Sequence, residues 1–117
     1  MVAGFVAATA GVTLIAWALA VNRFFAATVR IQDDRGHEVV SSGPYALLRH
    51  PGYTGMILYA LATPLALSSD VTWIAVSLHA LALIVRTVLE DRTLQRELDG
   101  YRDYAARVRS RLIPYVW

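Results

Sequence analysis

The stretch RHPGYTGMILYALATPLALSSD, residues 49–70, places two basic side chains directly before a proline and then continues to Ser69 without a charged residue. Two further runs share this character: residues 1–22 contain no charged side chain, and residues 71–85 contain none apart from His79. A helix that crosses a membrane needs about 20 mostly apolar residues. With 56% hydrophobic residues and charges confined to the segments between the runs, the sequence predicts an all-α membrane protein.

We predict three transmembrane helices over residues 2–21, 52–68 and 71–89, within a single domain of residues 1–117. The first run has no preceding Lys or Arg and exceeds the about 7–15 apolar residues of a signal peptide, which favours a retained helix. Small side chains allow close helix approach in membranes, so this span is compatible with a homo-oligomer or a partner helix. Its small residues are Ala3, Gly4, Ala7, Ala8, Ala10 and Gly11.

The distribution of arginine predicts how these helices are oriented. All 11 Lys or Arg positions are Arg, and they lie either in the loop of residues 23–50 or from residue 86 onward. Positive charge accumulates on the cytoplasmic side, so we expect the N-terminus outside and the 23–50 loop and C-terminal tail in the cytoplasm. The lack of lysine, with abundant Ala and Val, indicates a GC-rich bacterial genome and hence a bacterial inner or plasma membrane.

Composition also limits the classes of site. A net charge of +2 gives no indication of a nucleic-acid partner, and the lack of cysteine excludes disulfides and thiolate metal sites. His37 and His50 have no third ligand spaced to complete a metal site, so we predict no metal. We expect membrane lipid as a partner.

The tail of residues 90–112 has an amphipathic pattern. Apolar side chains recur in steps of three and four, and the opposite face carries Arg and Asp. The pattern predicts a helix on the cytoplasmic membrane interface or under the bundle, bent or interrupted at Gly100. Its apolar face consists of Leu94, Leu98, Tyr101, Ala105, Val108 and Leu112.

Two clusters of polar residues fall on the same predicted side of the membrane. Arg49 and His50 precede the second span, while Arg86, Glu90 and Asp91 lie at the end of the third. Because these two spans form a tight hairpin, we expect the clusters to be neighbours. Each also has a simpler interpretation, a membrane-anchored helix start for the first and a local Arg86–Glu90 salt bridge for the second.

The start of the second span has features of a ligand site. His50 precedes a proline and should therefore lie outside helical geometry, with the helix beginning at Pro51. The free N–H groups of a helix start can bind an anion. We expect Gly52 and Gly55 to leave room for a ligand, and Tyr53 to offer a ring and a hydroxyl group.

Three segments of the chain resemble a known superfamily. They are RGHEVVSSGPYALLRHPGYTG at residues 35–55, RTVLED at residues 86–91 and GYRDYAARVRSRLIP at residues 100–114. Together they are similar to the isoprenylcysteine carboxyl methyltransferase and phospholipid methyltransferase superfamily. The resemblance covers about residues 32–114.

This resemblance implies methyl transfer from S-adenosylmethionine to a lipophilic or small acceptor: an isoprenylcysteine-type carboxylate, a lipid amine or a thiol. It implies that the cofactor site faces the cytoplasm and that Arg86 and Glu90 form the catalytic pair, with Arg86 at the acceptor end. Gln32 matches only if a two-residue gap is allowed. The implied cofactor-binding residues are Gln32, His37, Val39, Val40, Tyr45, His50, Pro51, Gly52, Tyr53 and Glu90.

The chain departs from the superfamily pattern in two places. Asp91 stands where relatives have the second glutamate of an acidic pair, and relatives commonly carry further helices before the one that is first here. The alternative function is therefore a catalytically incomplete or truncated relative that acts as a membrane scaffold or partner subunit. A resemblance to the steroid reductases is a further alternative, and HPGYTG argues against it, since those enzymes tend to have Pro-Asn-Tyr followed by Gly-Glu.

Overall fold

The computed structural model describes residues 1–25, 32 and 36–117, and within these residues the chain is helical, with no strand. Residues 26–31 and 33–35 of the predicted cytoplasmic loop, which include Arg30 and Arg35, lie outside the described residues. The helical elements of the described part are α1 (Val2–Val21), a short 3-10 helix (Gly43–Ala46), α2 (Pro51–Leu67), α3 (Thr72–Glu97) and α4 (Tyr101–Arg107).

Two of the described helices, α1 and α3, are long and apolar enough to cross a membrane. Helix α2 begins at Pro51, as predicted, and has 17 residues. At a rise of 1.5 Å per residue it is about 25 Å long, somewhat less than the about 30 Å of a bilayer's hydrocarbon core. The all-helical prediction is therefore confirmed, and two of the three predicted spans meet the length that a crossing requires.

Helices α1 and α2 pack through small residues. Gly4, Gly11 and Ala18, spaced seven residues apart, are the buried residues of α1. A Cβ atom on Gly11 would lie 2.8 Å from the carbonyl oxygen of Gly55 in α2, and one on Gly4 would overlap the backbone of Ala66. The small-residue face of the first span is thus used for close helix contact inside this chain.

The C-terminal segment is fastened to the start of α2. The backbone carbonyl groups of residues 110–112 accept hydrogen bonds from residues 49, 50 and 54 at the start of α2. Residues 110–112 must be extended for this, because in a helix their carbonyl groups would point along the helix axis. The hydrogen bonds run from Arg49 N to Ser110 O (2.9 Å), from His50 N to Arg111 O (3.0 Å) and from Thr54 Oγ1 to Leu112 O (2.7 Å).

The prediction of one amphipathic helix over residues 90–112 is wrong in its extent. No helix begins near residue 90, because α3 continues unbroken to Glu97. The predicted interruption at Gly100 is confirmed: this residue has a φ of 83°, a conformation that glycine adopts without steric cost. Helix α4 then ends at Arg107, since the following residues are extended where they bind the start of α2.

Candidate active site

Most of the predicted site residues line one cavity between the loop before α2, the start of α2, the end of α3 and α4. This brings together side chains from residue 37 to residue 90, and it confirms that the hairpin makes the two polar clusters neighbours. The predicted residues that line the cavity are His37, Val39, Val40, Tyr45, His50, Tyr53 and Glu90.

The other predicted residues lie behind this lining. Pro51 and Gly52 are buried in the first turn of α2. Gln32 is 1% exposed, and its side-chain amide donates a 2.6 Å hydrogen bond to the Phe24 carbonyl. Arg86 contacts the site through Tyr53.

Tyr53 connects the predicted catalytic residues Arg86 and Glu90. Its hydroxyl oxygen accepts a 2.7 Å hydrogen bond from Arg86 Nε, while its proton is donated to Glu90 Oε2. The Arg86 guanidinium also lies 5.6 Å from the centre of the Tyr53 ring. Arg86 and Glu90 therefore both bind Tyr53 on α2. The simpler interpretation, a local Arg86–Glu90 salt bridge within α3, does not include this contact between helices.

Asp91 is the centre of a buried ionic cluster, and its side chain joins α2, α3, α4 and the C-terminal segment. Asp91 is 1% exposed. A carboxylate that accepts several hydrogen bonds from cations is stabilised in its ionised form. The donors of this Asp91 cluster are His50 Nε2 (3.1 Å), Arg49 Nη1 (3.3 Å), Gln95 Nε2 (2.8 Å), Tyr101 Oη (3.0 Å) and Arg111 Nε (3.4 Å).

The geometry of the cluster sets the hydrogen-bonding state of His50. The Asp91 carboxylate can only accept, so the His50 ring nitrogen Nε2 carries a proton and donates it. The His50 and Tyr53 rings stack with centroids 5.9 Å apart. His50 is therefore held between an acidic residue of α3 and an aromatic residue of α2, with its ring facing the cavity.

Arg49 has an unsatisfied donor at the same cavity. The residue is 6% exposed, its Nη1 contacts Asp91, and its buried Nε has no hydrogen-bond partner among the described residues. A buried donor without a partner costs about 1–3 kcal/mol. An acceptor atom of a bound ligand would satisfy it.

The segment that follows α1 is held against the cavity by aromatic stacking. The rings of Phe24 and His37 stack with centroids 4.5 Å apart. His37 Nδ1 accepts a 3.1 Å hydrogen bond from the backbone of Gln32, and the His37 backbone donates to the Gln32 carbonyl at 3.2 Å. Gln32 and His37, both predicted from the sequence, thus support each other.

Buried tyrosine hydroxyls surround the cavity. Burial raises the pKa of Tyr45 to about 12, with the Glu90 charge adding to this effect and a hydrogen bond to Asn22 opposing it. Burial also raises the pKa of Tyr101 and Tyr104, and the Asp91 charge adds to both. These hydroxyls therefore stay protonated at neutral pH and can donate, as Tyr104 does to the Tyr45 carbonyl at 2.5 Å.

The expectation that Gly52 and Gly55 leave room for a ligand is wrong. A Cβ atom on Gly52 would overlap the Phe25 ring, and one on Gly55 would lie 2.7 Å from the Gly11 carbonyl oxygen. Protein atoms fill both spaces. These glycines allow close packing of Phe25 and α1 against α2.

Several lining residues were not predicted from the sequence. Phe24 and Phe25 had no recognised role, although an aromatic pair directly after a membrane helix is a usable signal. The sequence pattern places Tyr101 on the apolar face of the tail, whereas in the structure its hydroxyl donates to Asp91. Arg49 also lines the cavity and belongs to the first polar cluster predicted from the sequence, and the unpredicted lining residues are Asn22, Phe24, Phe25, Glu38, Leu94, Leu98, Tyr101 and Tyr104.

Comparison with known proteins finds relatives along most of the chain. A "Probable protein-S-isoprenylcysteine O-methyltransferase" of Oryza sativa subsp. indica is 29% identical over 97 residues, 81% of this chain and 50% of the relative. The "Protein-S-isoprenylcysteine O-methyltransferase B" of Arabidopsis thaliana is 26% identical over 97 residues, 81% of this chain and 49% of the relative. The "Delta(14)-sterol reductase TM7SF2" of Mus musculus is 35% identical over 86 residues, 70% of this chain and 20% of the relative.

The chain spans about half the length of the two plant relatives that it matches. A family profile matches residues 2–96, from the first residue of α1 almost to the end of α3. This range includes Arg49, His50, Tyr53, Arg86 and Glu90. The chain belongs to the isoprenylcysteine carboxyl methyltransferase (ICMT) family.

Proposed function

We propose that this chain binds S-adenosylmethionine in the cavity and transfers its methyl group to an isoprenylcysteine-type carboxylate. The observation that carries the proposal is one cavity lined by both Arg49, whose Nε is an unsatisfied hydrogen-bond donor, and Glu90, which is a carboxylate. The amino-acid end of the cofactor has a carboxylate and an ammonium group, which complement these two side chains. Arg49 would hold the carboxylate, and Glu90 the ammonium or a ribose hydroxyl.

The remaining lining residues suit the rest of such a molecule. Val39, Val40 and Leu98 offer apolar surface, while Tyr45 is a protonated hydroxyl donor. Asp91 holds the His50 ring in place, so the ring does not have to change its orientation when a ligand binds. The residues present therefore fit a ligand that combines apolar rings, hydroxyl groups and a zwitterionic end.

When bound, the cofactor would supply a methyl group on a positively charged sulfur. The acceptor oxygen would form a bond to the methyl carbon as the carbon–sulfur bond breaks in line, and S-adenosylhomocysteine would be the leaving group. The chain's own contribution is alignment, which brings reacting atoms to about 3–3.5 Å. Arg86 would orient the acceptor carboxylate and stabilise its ionised, nucleophilic form. Tyr53 holds the Arg86 side chain through a 2.7 Å hydrogen bond. No protein nucleophile takes part in this scheme.

We place the cavity on the cytoplasmic side of a bacterial inner membrane, with three crossings and the N-terminus outside. Two helices have sufficient apolar length, and α2, with 17 residues, would cross where the bilayer is locally thinner. The arginines of the described residues from Arg23 to Arg49 and from Arg86 onward lie on one side in this arrangement. A lipophilic acceptor would enter from the bilayer and the water-soluble cofactor from the cytoplasm.

A second candidate is a membrane scaffold or partner subunit without transfer activity. The observation that favours it is Asp91, which stands where the superfamily pattern has a second glutamate and is bound within the buried Asp91 cluster. The alternative methyl acceptors within the enzymatic proposal are a lipid amine and a thiol. The similarity to a sterol reductase covers 20% of that protein, so it contributes little to a choice of reaction.

The proposal is tested by a transfer assay on the full chain in lipid nanodiscs with methyl-labelled S-adenosylmethionine. The acceptors are N-acetyl-S-farnesylcysteine, its methyl ester, phosphatidylethanolamine and a small alkyl thiol. We expect label on the free acid as a base-labile ester, and none on the methyl ester, whose carboxylate is already blocked. Transfer to the amine or the thiol instead would reassign the acceptor. Cofactor binding without transfer to any of them would favour the second candidate.

A further inference from the structure

A second cavity lies on the other side of Asp91, between the end of α3, α4 and the C-terminal segment. We call it the arginine cavity, because guanidinium groups dominate its lining. It shares Asp91, Gln95 and Arg111 with the Asp91 cluster, and none of its lining residues lines the cavity of the candidate active site. The residues that define it are Arg92, Arg96, Arg102, Arg111 and Trp117.

The arginine cavity carries an excess of positive charge. Among the described residues that line it, the one carboxylate is Asp91, which is 1% exposed and already bound to His50 and Arg49. Arg92 and Arg96, by contrast, are exposed on α3. The cavity therefore favours an anion, and a phosphate group matches the geometry of several converging guanidinium groups.

Two of the arginines are held in position by the protein. Arg102 Nε donates a 2.9 Å hydrogen bond to the carbonyl of Gln95. Arg111 Nε contacts Asp91 at 3.4 Å, and its guanidinium lies 5.0 Å from the centre of the Trp117 ring. Side chains that are already ordered lose less conformational entropy when a ligand binds.

An apolar stripe on α3 leads directly to this cavity. Its residues follow one another in steps of three or four, so they lie on one face of the helix, and Arg92 and Arg96 continue the same spacing. Their exposure is Ile74 70%, Leu78 65%, Leu81 57%, Val85 51% and Leu89 51%. An exposed aliphatic row that ends in arginines is complementary to an acyl chain joined to a phosphate.

We propose that the arginine cavity binds the headgroup phosphate of an anionic membrane phospholipid, with an acyl chain along the stripe from Ile74 to Leu89. The phosphate diester contacts Arg92 and Arg96, and Arg102 and Arg111 complete the positive surface. Trp117 lies at the headgroup level, where aromatic side chains are favoured. A basic recess at the cytoplasmic end of a membrane helix suits anionic lipid. The site is separate from the proposed cofactor cavity and goes beyond the proposed function.

The test uses the full chain in a neutral detergent and measures its unfolding temperature as dihexanoyl phosphatidylglycerol is added. Dihexanoyl phosphatidylcholine and inorganic phosphate are titrated in parallel. A ligand that binds the folded state raises the unfolding temperature, and a ligand of higher affinity does so at lower concentration. We expect phosphatidylglycerol to stabilise the chain at lower concentration than either comparison compound, and the effect to weaken with added salt.

The Arg92→Gln/Arg96→Gln double variant should raise the apparent dissociation constant for phosphatidylglycerol about tenfold or more, since two basic groups near an anionic headgroup are removed. The matched control is Arg109→Gln, an exposed arginine that does not line the arginine cavity. Its dissociation constant should stay within about twofold of the parent, as expected for a screened surface charge.

A third variant, Leu89→Gln, distinguishes a lipid from a free anion, because it alters the stripe and leaves the arginines in place. It should weaken phosphatidylglycerol binding without affecting phosphate. Equal stabilisation by phosphatidylcholine, or an unchanged dissociation constant in the double variant, would overturn the proposal. Inorganic phosphate that binds as tightly as phosphatidylglycerol, with the same arginine dependence, would also overturn it, and would identify a site for a soluble phosphate.

Discussion

Replacing Asp91 by alanine should destabilise the folded chain by about 3–5 kcal/mol, the usual cost of removing one partner from a buried ion pair. The variant leaves Arg49 buried without its counter-charge and takes the acceptor from His50 and Tyr101. These donors come from two separate parts of the chain, the entry to α2 and the start of α4. The loss should therefore loosen the start of α2 and α4 together.

Thermal unfolding of the detergent-purified variant measures this effect. The matched control is Asp99→Ala, since Asp99 is an exposed carboxylate near the end of α3 and surface substitutions usually change stability by less than about 0.5 kcal/mol. Asp91→Asn should be intermediate, because it keeps one acceptor oxygen while the charge is lost. An Asp91→Ala variant as stable as the Asp99→Ala control would contradict the role of the Asp91 cluster.

Replacing Arg86 by glutamine should reduce methyl transfer to N-acetyl-S-farnesylcysteine by about 100-fold or more, the loss expected when a charge-stabilising donor leaves a reaction centre. Because we assign Arg86 to the acceptor end of the cavity, the dissociation constant of S-adenosylhomocysteine should change by less than about threefold. That is well under the tenfold change that a loss of about 1.4 kcal/mol in binding free energy would produce. Glutamine can still donate to the Tyr53 hydroxyl, which keeps the connection to Glu90.

Parallel measurement of transfer rate and of S-adenosylhomocysteine affinity separates the two effects. Arg86→Lys serves as the charge-preserving comparison and should retain more activity than Arg86→Gln. If Arg86→Gln lost cofactor affinity to the same degree as activity, Arg86 would belong to the cofactor end of the cavity. Unchanged transfer in Arg86→Gln would remove the residue from the reaction.

The sequence was sufficient to predict an all-helical chain, the position of α1, the start of α2 and the meeting of the two polar clusters. A charge-free run of membrane length locates α1, the shorter run of residues 71–85 locates the first part of α3, and Pro51 identifies the first residue of α2. Because a tight hairpin joins α2 and α3, the start of α2 lies beside the later part of α3, and Tyr53 and Glu90 are therefore neighbours. These features are local or follow from one short turn, which is why they can be recognised without a structure.

The features that could not be predicted depend on contacts between distant parts of the chain. The amphipathic period of the tail continues to Leu112, yet the helix ends at Arg107 because the carbonyls of residues 110–112 bind the start of α2. Local periodicity contains no information about that pairing. Similarly, the sequence shows Asp91 as a shorter replacement for a glutamate, whereas the structure shows that it accepts from His50 at the entry to α2, from Tyr101 on α4 and from Arg111 after α4.

The glycines illustrate a related difficulty. Gly52 and Gly55 follow the charged start of α2 and could serve either a ligand or a packed neighbour. In the structure the Phe25 ring and the backbone of α1 occupy those positions. A missing side chain signals close approach, and only the tertiary structure shows which group makes it.

Calorimetric titration of S-adenosylhomocysteine into the detergent-purified chain tests the central claim most directly. Glu90→Gln is measured beside it, with Glu97→Gln as a control because Glu97 is an exposed carboxylate at the end of the same helix. We predict saturable binding with one site per chain, weakened about tenfold or more in Glu90→Gln, since a charged hydrogen bond contributes about 1.5–3 kcal/mol. Glu97→Gln should bind as the parent does. A folded parent chain that shows no binding, or equal binding in Glu90→Gln, would contradict the assignment of this cavity to the cofactor.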